Sequence, residues 1–453
     1  MRVLLLNPPS RLPVLRDYYC SSVSKAGYLW HPIDLLAQSG RLSAKHDLRV
    51  LDAPAAKFSE SATARFIENF APQAVFALTS AGTWRGDFGF IEPLKRRIGF
   101  VLAMSGEIFL GDAGKILEAH PWIDAALLNF TGPDLERFLE GSTSDVTNLA
   151  WRDGDKVFVR REGATGTFTL GLPRHDLFPM ERYHMPWHLY HPFATVMTDY
   201  GCPFGCSFCN SRTFGHARRD LDDLSEELEW LHRRGIRQLF IKDMTFASSR
   251  PHAVRVLETM IEKGREFRWN AYCRADLIDD DLALLMSRAG CHLVQIGVES
   301  ADEALLNRHG KKIKTETVRK AFKILKKAGI SAGAHFILGL PGDSLDGIRR
   351  TVELAVELDP AYASFNLAMP RLGASLNDAG WMDRPLDSSG SEPFYELDDL
   401  SPRTLVRERD RAMRRFYLRP GYWIKTALAI KTPYQLWNLL RQARGILTGR
   451  RRS

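Results

Sequence analysis

The sequence predicts an α/β protein with two successive domains of parallel strands and a helical, basic C-terminal extension. Its 453 residues are about three times the ~150 expected for a single domain. Apolar runs of strand length alternate with amphipathic helical segments along most of the chain, which is typical of parallel sheets covered by helices. The basic residues concentrate in one place, because residues 403–453 hold 14 Lys/Arg against 2 Asp/Glu.

Residues 1–145 are predicted to form a flavodoxin- or Rossmann-like domain. Strand-like runs occur at residues 3–6, 49–51, 74–78, 100–104 and 125–128. Asn7 and Asp52 follow two of these runs, and open α/β sheets bind ligands at the carboxyl ends of their strands. No GxGxxG sequence is present, so a dinucleotide is not indicated. Residues 146–192 are predicted to be a linker with a hairpin around an Asp-Gly turn.

Residues 193–377 are predicted to form a partial (βα)6 barrel. Six apolar runs, near residues 193–198, 237–242, 267–273, 292–298, 332–338 and 363–368, alternate with helical segments. In such barrels the loops after the strands carry the chemistry. The remaining residues, 378–453, are predicted to be an acidic loop followed by the basic helical extension.

Composition excludes several classes of protein. Hydrophobic residues make up 45% and charged residues 26%, which are ordinary values for a folded chain. No apolar run reaches the ~18 residues of a membrane-spanning helix, and the first apolar run is too short for a signal peptide. Six cysteines are too few for a disulfide framework in a chain of this length. We therefore expect a cytoplasmic protein.

The most informative motif is a CxxxCxxC formed by Cys202, Cys206 and Cys209 directly after the first strand of the second series. Soft thiolate ligands select zinc or an iron–sulfur cluster. A structural zinc ion requires a fourth ligand, for which Cys273 and Cys291 are candidates. An iron–sulfur cluster held by three cysteines leaves one iron open to another ligand. The cluster is favoured because no second CxxC appears.

This motif, at the end of the first strand of a partial barrel, resembles the radical S-adenosylmethionine (SAM) superfamily. Four further segments, residues 240–246, 270–276, 289–300 and 336–342, are similar to the subfamily with an N-terminal cobalamin-binding-like domain. The resemblance implies that Cys202, Cys206 and Cys209 ligate a [4Fe-4S] cluster and that SAM binds the fourth iron. Reductive cleavage of SAM would then yield a 5′-deoxyadenosyl radical that abstracts hydrogen from an unactivated carbon.

The same resemblance implies a set of SAM-binding residues: Phe208, Asp243, Arg274, Glu299, Ser300 and Gly339. Most of the polar members end apolar strands, where burying a charged group is costly without a partner or ligand. The alternative explanation for Glu299 and Arg274 is a mutual or local salt bridge inside the barrel.

Cobalamin is a further cofactor prediction for the first domain. The DxHxxG motif that supplies a cobalt ligand is absent, and the histidines His31, His46 and His120 lie in other contexts. Either a corrin binds without a protein histidine, or the domain has lost it. A substrate or corrin pocket is predicted from five residues near the sheet edge: Asn7, Cys20, Trp30, His31 and Asp52. The alternative is that the aromatic segment 18–34 packs against the neighbouring domain.

We expect a radical SAM enzyme that functionalises a C–H bond of a small molecule, with an apolar, lipid or natural-product substrate favoured. A flavodoxin- or ferredoxin-type electron donor is the implied partner. The alternatives are a cobalamin-dependent radical SAM methyltransferase, an RNA-modifying radical SAM enzyme, and an Fe–S or zinc-stabilised binding protein. Arginines with Trp, Tyr and Leu at helical spacing in the tail predict peripheral contact with the inner membrane surface or a helical cap, and nucleic acid is the weaker prediction.

Overall fold

A computed structural model describes the chain except for residues 20, 25, 26, 265, 377–394, 396, 398, 399 and 450–453, and except for the side chains of residue 22 and residues 442–449. The predicted pocket residue Cys20 and most of the predicted acidic loop therefore lie outside the described residues. The predicted fold class is confirmed, because two parallel sheets follow one another along the chain and a helical segment ends it.

The first sheet has flavodoxin-like topology. Its parallel strands are β1 (Arg2–Asn7), β2 (Asp47–Asp52), β3 (Ala74–Leu78), β4 (Val101–Ser105) and β5 (Ala125–Leu127). They lie in the order β2-β1-β3-β4-β5, so the strand order reverses beside β1. The carboxyl ends of β1 and β2 therefore lie next to a topological switch point, where open α/β sheets bind ligands.

Helices cover both faces of this sheet: α1 (Ile33–Ser43), α2 (Glu60–Phe70), α3 (Trp84–Ile98), α4 (Ala113–Ala119) and α5 (Asp134–Leu139), with a short helix at Ala53–Ala56. Side-chain caps define several of their N-termini. Ser59 accepts a hydrogen bond from the Ala62 backbone, and Asp112 accepts one from the Lys115 backbone. These caps satisfy backbone N–H groups that have no partner within the helix.

The hairpin predicted as part of a linker extends the first sheet instead. Strands β6 (Asn148–Asp153) and β7 (Lys156–Arg161) pair antiparallel with each other, and β6 pairs antiparallel with β5. The Asp-Gly turn was correctly interpreted, but a sequence pattern alone does not reveal which strand a hairpin joins. Burial distinguishes the two strands, since Leu149, Ala150 and Trp151 of β6 are buried whereas most of β7 is exposed.

The second sheet is a six-stranded partial barrel in sequential order. Its parallel strands are β8 (Phe193–Val196), β9 (Gln238–Ile241), β10 (Arg268–Cys273), β11 (Cys291–Glu299), β12 (Ser331–Leu338) and β13 (Tyr362–Leu367). The helices between them are α6 (Leu221–Arg233), α7 (Arg250–Glu262), α8 (Asp280–Arg288), α9 (Glu303–Arg308), α10 (Thr315–Lys327) and α11 (Leu345–Leu358). All six strands coincide with predicted apolar runs.

The C-terminal extension consists of α12 (Pro402–Tyr417), α13 (Pro420–Leu428) and α14 (Pro433–Gly449). Helix α12 packs against the barrel edge, where Leu405, Ala412 and Phe416 are buried and the Phe416 ring lies 6.4 Å from that of Phe365. No helix among the described residues is long and apolar enough to cross a membrane.

The two sheets are joined by buried polar contacts as well as by apolar packing. Lys242, directly after β9, forms an ion pair of 2.8 Å with Asp17, which lies between β1 and α1. Tyr183 donates a hydrogen bond of 2.8 Å to Asp52, and His31 lies 3.1 Å from the Thr195 hydroxyl. The residues after β1 therefore pack directly between the first sheet and the barrel.

Candidate cluster and SAM site

The three motif cysteines lie on a loop, residues 202–209, which we call the cysteine loop. A short strand, Asp199–Gly201, leads into it and pairs antiparallel with His216–Arg219. Gly201 has a positive φ of 78°, and a Cβ there would lie 2.0 Å from the Gly215 carbonyl oxygen. Only glycine fits this close approach of two backbones, so the entry to the loop is fixed at one residue.

The three thiols form one electrostatic group. Cys202 and Cys206 are buried, and Cys209 is half-buried. Burial raises the pKa of Cys202 to about 11, and the nearby Cys209 thiol raises the pKa of Cys202 and of Cys206 as well. Buried neighbouring thiols are costly to ionise by themselves, so a cationic metal centre that accepts them as thiolates would relieve this cost.

The donor set fits a cluster better than a zinc ion. In the described part of the chain, no three His, Cys, Asp or Glu side chains converge to hold one ion. A cluster does not require such convergence, because each cysteine binds a different iron. Cys273 and Cys291 contact the backbone carbonyls of Phe246 and Leu293 at 3.3 Å and 3.7 Å. Neither is placed as the fourth ligand that a zinc site requires.

Two cations flank the cysteine loop. Arg274 points Nη1 at the Cys206 sulfur, 3.7 Å away, and its guanidinium lies 3.8 Å above the Phe204 ring. Asp276 holds that guanidinium through hydrogen bonds of 3.0 Å and 2.9 Å. Lys311 and Arg274 both lower the pKa of Cys206 against the larger effect of burial. These cations would stabilise thiolates at this position.

Glu299 lies in a strained backbone at the carboxyl end of β11. Its φ of 66° falls in the left-handed region, and the pairing of β11 with β12 shifts register between Gly297 and Glu299. The Glu299 carboxylate is buried and pairs with Lys311 at 2.7 Å. A non-glycine residue held in this conformation costs about 1–3 kcal/mol, and such strain clusters at ligand-binding sites.

Of the two predicted alternatives, a mutual or a local salt bridge, the local one is present. Arg274 pairs with Asp276, and Glu299 pairs with Lys311. These pairs do not exclude a ligand role, because the side chains lie beside the cysteine loop at the strand ends where barrel chemistry occurs.

Asp243 holds the backbone that leads into the cysteine loop. Its Oδ1 accepts backbone hydrogen bonds from Thr198 at 2.7 Å and from Asp199 at 3.1 Å, and its Oδ2 accepts from the Thr198 hydroxyl. Because both carboxylate oxygens are engaged, the structure gives Asp243 a positioning role at the loop entry. On the other side, Ser207 lies 2.7 Å from His309 Nδ1, and His309 Nε2 contacts the Pro341 carbonyl at 3.0 Å.

The remaining predicted SAM residues border the same region. Phe208 packs against a small cluster with Leu305 and Leu340. The Gly339 amide donates to Asp343 at 2.9 Å, and burial raises the pKa of Asp343 to about 6. The Ser300 hydroxyl lies 3.3 Å from Thr351 on α11 and accepts from the Asp302 amide.

Sequence reasoning missed Lys311 and His309, which both contact the predicted site. They belong to the run Arg308-His-Gly-Lys-Lys312, which has the composition of a solvated loop. The one available signal was Gly310, whose positive φ and close approach to the Gly205 carbonyl place this run against the cysteine loop.

The predicted pocket in the first domain is brought together only in part. Asn7 donates to Asp52 at 2.9 Å, and Trp30 Nε1 donates to Asp17 at 3.2 Å. These four residues border a cavity of about 10 Å³, the volume of roughly one water. His31 lies apart, with its ring 4.2 Å from that of Tyr183 and also against those of His175, Phe178 and Phe193.

The carboxyl edge of the first sheet offers polar groups that suit the periphery of a corrin, whereas His31, which follows β1 at this edge, is enclosed by aromatic rings. Asp34 Oδ1, Glu107 Oε2 and Tyr19 Oη are buried without hydrogen-bond partners. Carboxylate oxygens of this kind suit amide donors such as those around a corrin ring. His46 and His120 precede β2 and β5 and therefore lie towards the opposite edge. His31 lies at this edge with its Nδ1 3.1 Å from the Thr195 hydroxyl and its Nε2 buried without a partner, so a corrin held here would meet no exposed imidazole.

Several side chains inside the barrel are only half-buried and leave surface that a substrate could contact. In β12 and β13, buried residues alternate with half-buried ones, namely His335, Ile337, Ser364 and Asn366. Strand neighbours point to opposite faces, so one set packs on the helices and the other faces the lumen. Tyr272 on β10 is also half-buried, and its ring lies 5.9 Å from that of His335.

Comparison with known proteins agrees with this site. Residues 197–355 match the sequence profile of the Radical SAM superfamily, a range that contains the cysteine loop and most of the barrel. Residues 197–355 are therefore a radical SAM domain, and a flavodoxin-like sheet domain precedes it. The radical SAM domain implies a [4Fe-4S] cluster and SAM as its cofactors, and enzymes of this class require a reductant.

Two similar proteins indicate the range of relatives. An uncharacterized methyltransferase of Pyrococcus horikoshii is 26% identical over 444 residues, which cover 94% of each chain. The anaerobic magnesium-protoporphyrin IX monomethyl ester cyclase of Rubrivivax gelatinosus is 27% identical over 276 residues, covering 56% of this chain and 49% of the cyclase.

Among solved structures, the radical SAM methyltransferase TsrM of Kitasatospora setae, with cobalamin and a [4Fe-4S] cluster bound, superposes with a TM-score of 0.64 at 18% identity, covering 83% of this chain and 73% of TsrM. The cobalamin-dependent radical enzyme OxsB, with aqua-cobalamin and SAM bound, gives a TM-score of 0.59 at 14% identity, covering 84% of this chain and 54% of OxsB. At these identities, the comparison shows a shared fold.

Proposed function

We propose that this protein cleaves SAM reductively and uses the resulting radical to functionalise a C–H bond of a small molecule. The observation that carries the proposal is the group of three thiols on the cysteine loop, which lies at the carboxyl end of the barrel beside Arg274 and Lys311. When bound by these thiols, a [4Fe-4S] cluster supplies the electron and the open iron that SAM cleavage requires.

The residues around the loop have separate tasks in this proposal. Cys202, Cys206 and Cys209 hold the cluster, and Asp243 and His309 fix the loop that presents them. Arg274 and Lys311 offset negative charge near Cys206. Glu299 contacts the SAM ribose from its strained position, while Phe208 and Gly339 border the adenine. The Ser300 hydroxyl is already bonded to Thr351, so its proposed contact with the SAM carboxylate requires the hydroxyl to turn.

The barrel interior supports a substrate with both apolar and hydrogen-bonding groups. Tyr272 and Ile337 provide apolar surface, whereas Ser364, Asn366 and His335 provide polar groups. Burial lowers the pKa of His335 to about 4, so this imidazole is neutral at physiological pH and both donates and accepts hydrogen bonds. A ring-containing natural product suits this lining better than a purely aliphatic lipid.

A simple assay tests the proposal. The anaerobically reconstituted protein should form 5′-deoxyadenosine from SAM with dithionite, as measured by chromatography. Cys206→Ala should abolish this product, whereas Cys291→Ala, which removes an equally buried thiol on β11, should retain it. Intact SAM with the wild-type protein, or equal activity in both variants, would contradict the proposal.

A second candidate is cobalamin-dependent methyl transfer. It is supported by the unpaired buried polar atoms of Asp34, Glu107 and Tyr19 at the first sheet's carboxyl edge and by the fold shared with TsrM. A bound corrin would supply a methyl carrier between SAM and substrate. The residues of this chain would hold the corrin periphery and leave its cobalt without an imidazole.

A further inference from the structure

The helices α13 and α14 expose an unusual amount of apolar surface. Of the large apolar side chains that are exposed in the described part of the chain, seven lie between residues 418 and 440: Leu418, Trp423, Ile424, Leu428, Leu436, Trp437 and Leu440. Scattered exposed apolar residues need no explanation, but a group of this size on consecutive helices marks an interaction surface.

On each helix most of these side chains point away from the residue that anchors it. Tyr422 is buried against the Phe416 and Tyr417 rings, at 5.3 Å and 5.0 Å, and fixes the inner side of α13. At ~100° per residue, Trp423, Ile424 and Leu428 point away from that side. Leu428 is 81% exposed.

Helix α14 repeats this arrangement. Asn438 is buried and donates a hydrogen bond of 2.6 Å to the Met185 carbonyl, which defines the inner side. Leu436 and Leu440 lie on the opposite side, where Leu440 is 63% exposed. We call Trp423, Ile424 and Leu428 of α13 and Leu436 and Leu440 of α14 the outer face.

Charge accompanies the outer face. Residues 418–449 hold five Lys/Arg and no Asp/Glu. Some of these cations serve the fold, since Arg419 and Lys425 both pair with Asp359. Lys431, between α13 and α14, is exposed. A basic helix with exposed Trp, Ile and Leu fits a surface that is anionic outside and apolar just beneath.

We propose that the outer face binds the surface of an anionic lipid bilayer, with α13 and α14 lying in the plane of the interface. Charge complementarity and the apolar character of the exposed side chains favour a lipid bilayer over a nucleic acid. A nucleic acid would use the cations and stack on Trp423, but it gives Ile424, Leu428, Leu436 and Leu440 no apolar partner. This proposal is independent of the reaction that the barrel performs.

Vesicle flotation of the full-length holoprotein tests the proposal. The protein should float with vesicles of phosphatidylcholine and phosphatidylglycerol in equal parts, and binding should weaken in ~1 M salt because the charges are screened. The triple variant Trp423→Ser, Ile424→Ser, Leu428→Ser should bind at least about tenfold more weakly, since it loses most of the apolar area that α13 inserts.

A matched control separates this face from general surface hydrophobicity. Leu12→Ser, Val159→Ser, Leu284→Ser removes three side chains of similar exposure elsewhere and should bind like wild type. Both triple variants should keep the wild-type circular dichroism and unfolding midpoint, because all six positions are exposed. Failure of the wild-type protein to bind these vesicles, or equal loss in both variants, would overturn the proposal. So would tight binding of a single-stranded RNA oligonucleotide that the vesicles do not displace.

Discussion

At the cysteine loop, some of the candidate site residues were predictable from the sequence and others were not. The CxxxCxxC motif identified the three thiols directly, because the spacing itself is the signal. Glu299 was predicted from the family resemblance of residues 289–300, but its left-handed backbone was not predictable, since it accompanies a register shift between β11 and β12. Lys311 was missed because the contact it makes joins loops twelve residues apart.

The substitution Glu299→Gln tests whether this single residue contributes to SAM binding. We expect the variant to retain the cluster and to bind SAM about tenfold or more weakly, because a hydrogen bond to a charged acceptor is worth ~1.5–3 kcal/mol. Equilibrium binding of SAM to the reconstituted protein measures the effect. Glu316→Gln, an exposed carboxylate whose side chain is 75% accessible, serves as the control. Wild-type SAM affinity in Glu299→Gln would remove this residue from the proposed site.

At the scale of elements, the strands of both sheets were predictable from apolar runs, whereas the partners of peripheral elements were not. The hairpin β6–β7 was assigned to a linker, yet it extends the first sheet. The tail helices were predicted from their composition, but their anchoring was not. His184 contacts Tyr434 at 3.1 Å and stacks on His191 at 4.5 Å, with Trp437 at 5.1 Å. These contacts hold α14 on the segment that precedes β8.

This anchor predicts a pH-dependent tail. Burial, with smaller contributions from the cation Arg441 and from His191, lowers the pKa of His184 to about 3. The undocked side chain titrates near ~6.5, so docking is most stable above that pH and weakens as the pH falls towards 3. Limited proteolysis of the tail should therefore accelerate as the pH falls below ~6. His184→Gln should flatten the profile, and an unchanged profile in that variant would contradict this origin.

At the scale of the whole molecule, the two-domain architecture was predictable, but the residues that form the interface between the domains were not. Residues between β1 and α1 bridge the sheets through the buried Asp17–Lys242 pair. The pairing depends on which loops the fold brings together, and no local pattern encodes that.

Corrin content is the whole-molecule prediction that separates the two candidate functions. Cobalamin-dependent methyl transfer requires about one corrin per chain after reconstitution with hydroxocobalamin. In the cobalt(II) state, its electron paramagnetic resonance spectrum should show no coupling that changes on labelling histidine with nitrogen-15, because the ring of His31 at this edge is buried among aromatic side chains. Substoichiometric corrin, with 5′-deoxyadenosine formation intact, would leave the corrin-independent radical enzyme. Coupling to a histidine nitrogen would contradict the geometry of the sheet edge.

The central claim is that the cysteine loop holds an iron–sulfur cluster with a position open to SAM. Metal analysis combined with Mössbauer spectroscopy of the anaerobically reconstituted protein, with and without SAM, tests it most directly. The account predicts about four irons and four sulfides per chain, lost in Cys202→Ala, Cys206→Ala and Cys209→Ala, with one iron site changed by SAM. Zinc in place of iron, or a cluster spectrum that SAM leaves unchanged, would contradict it.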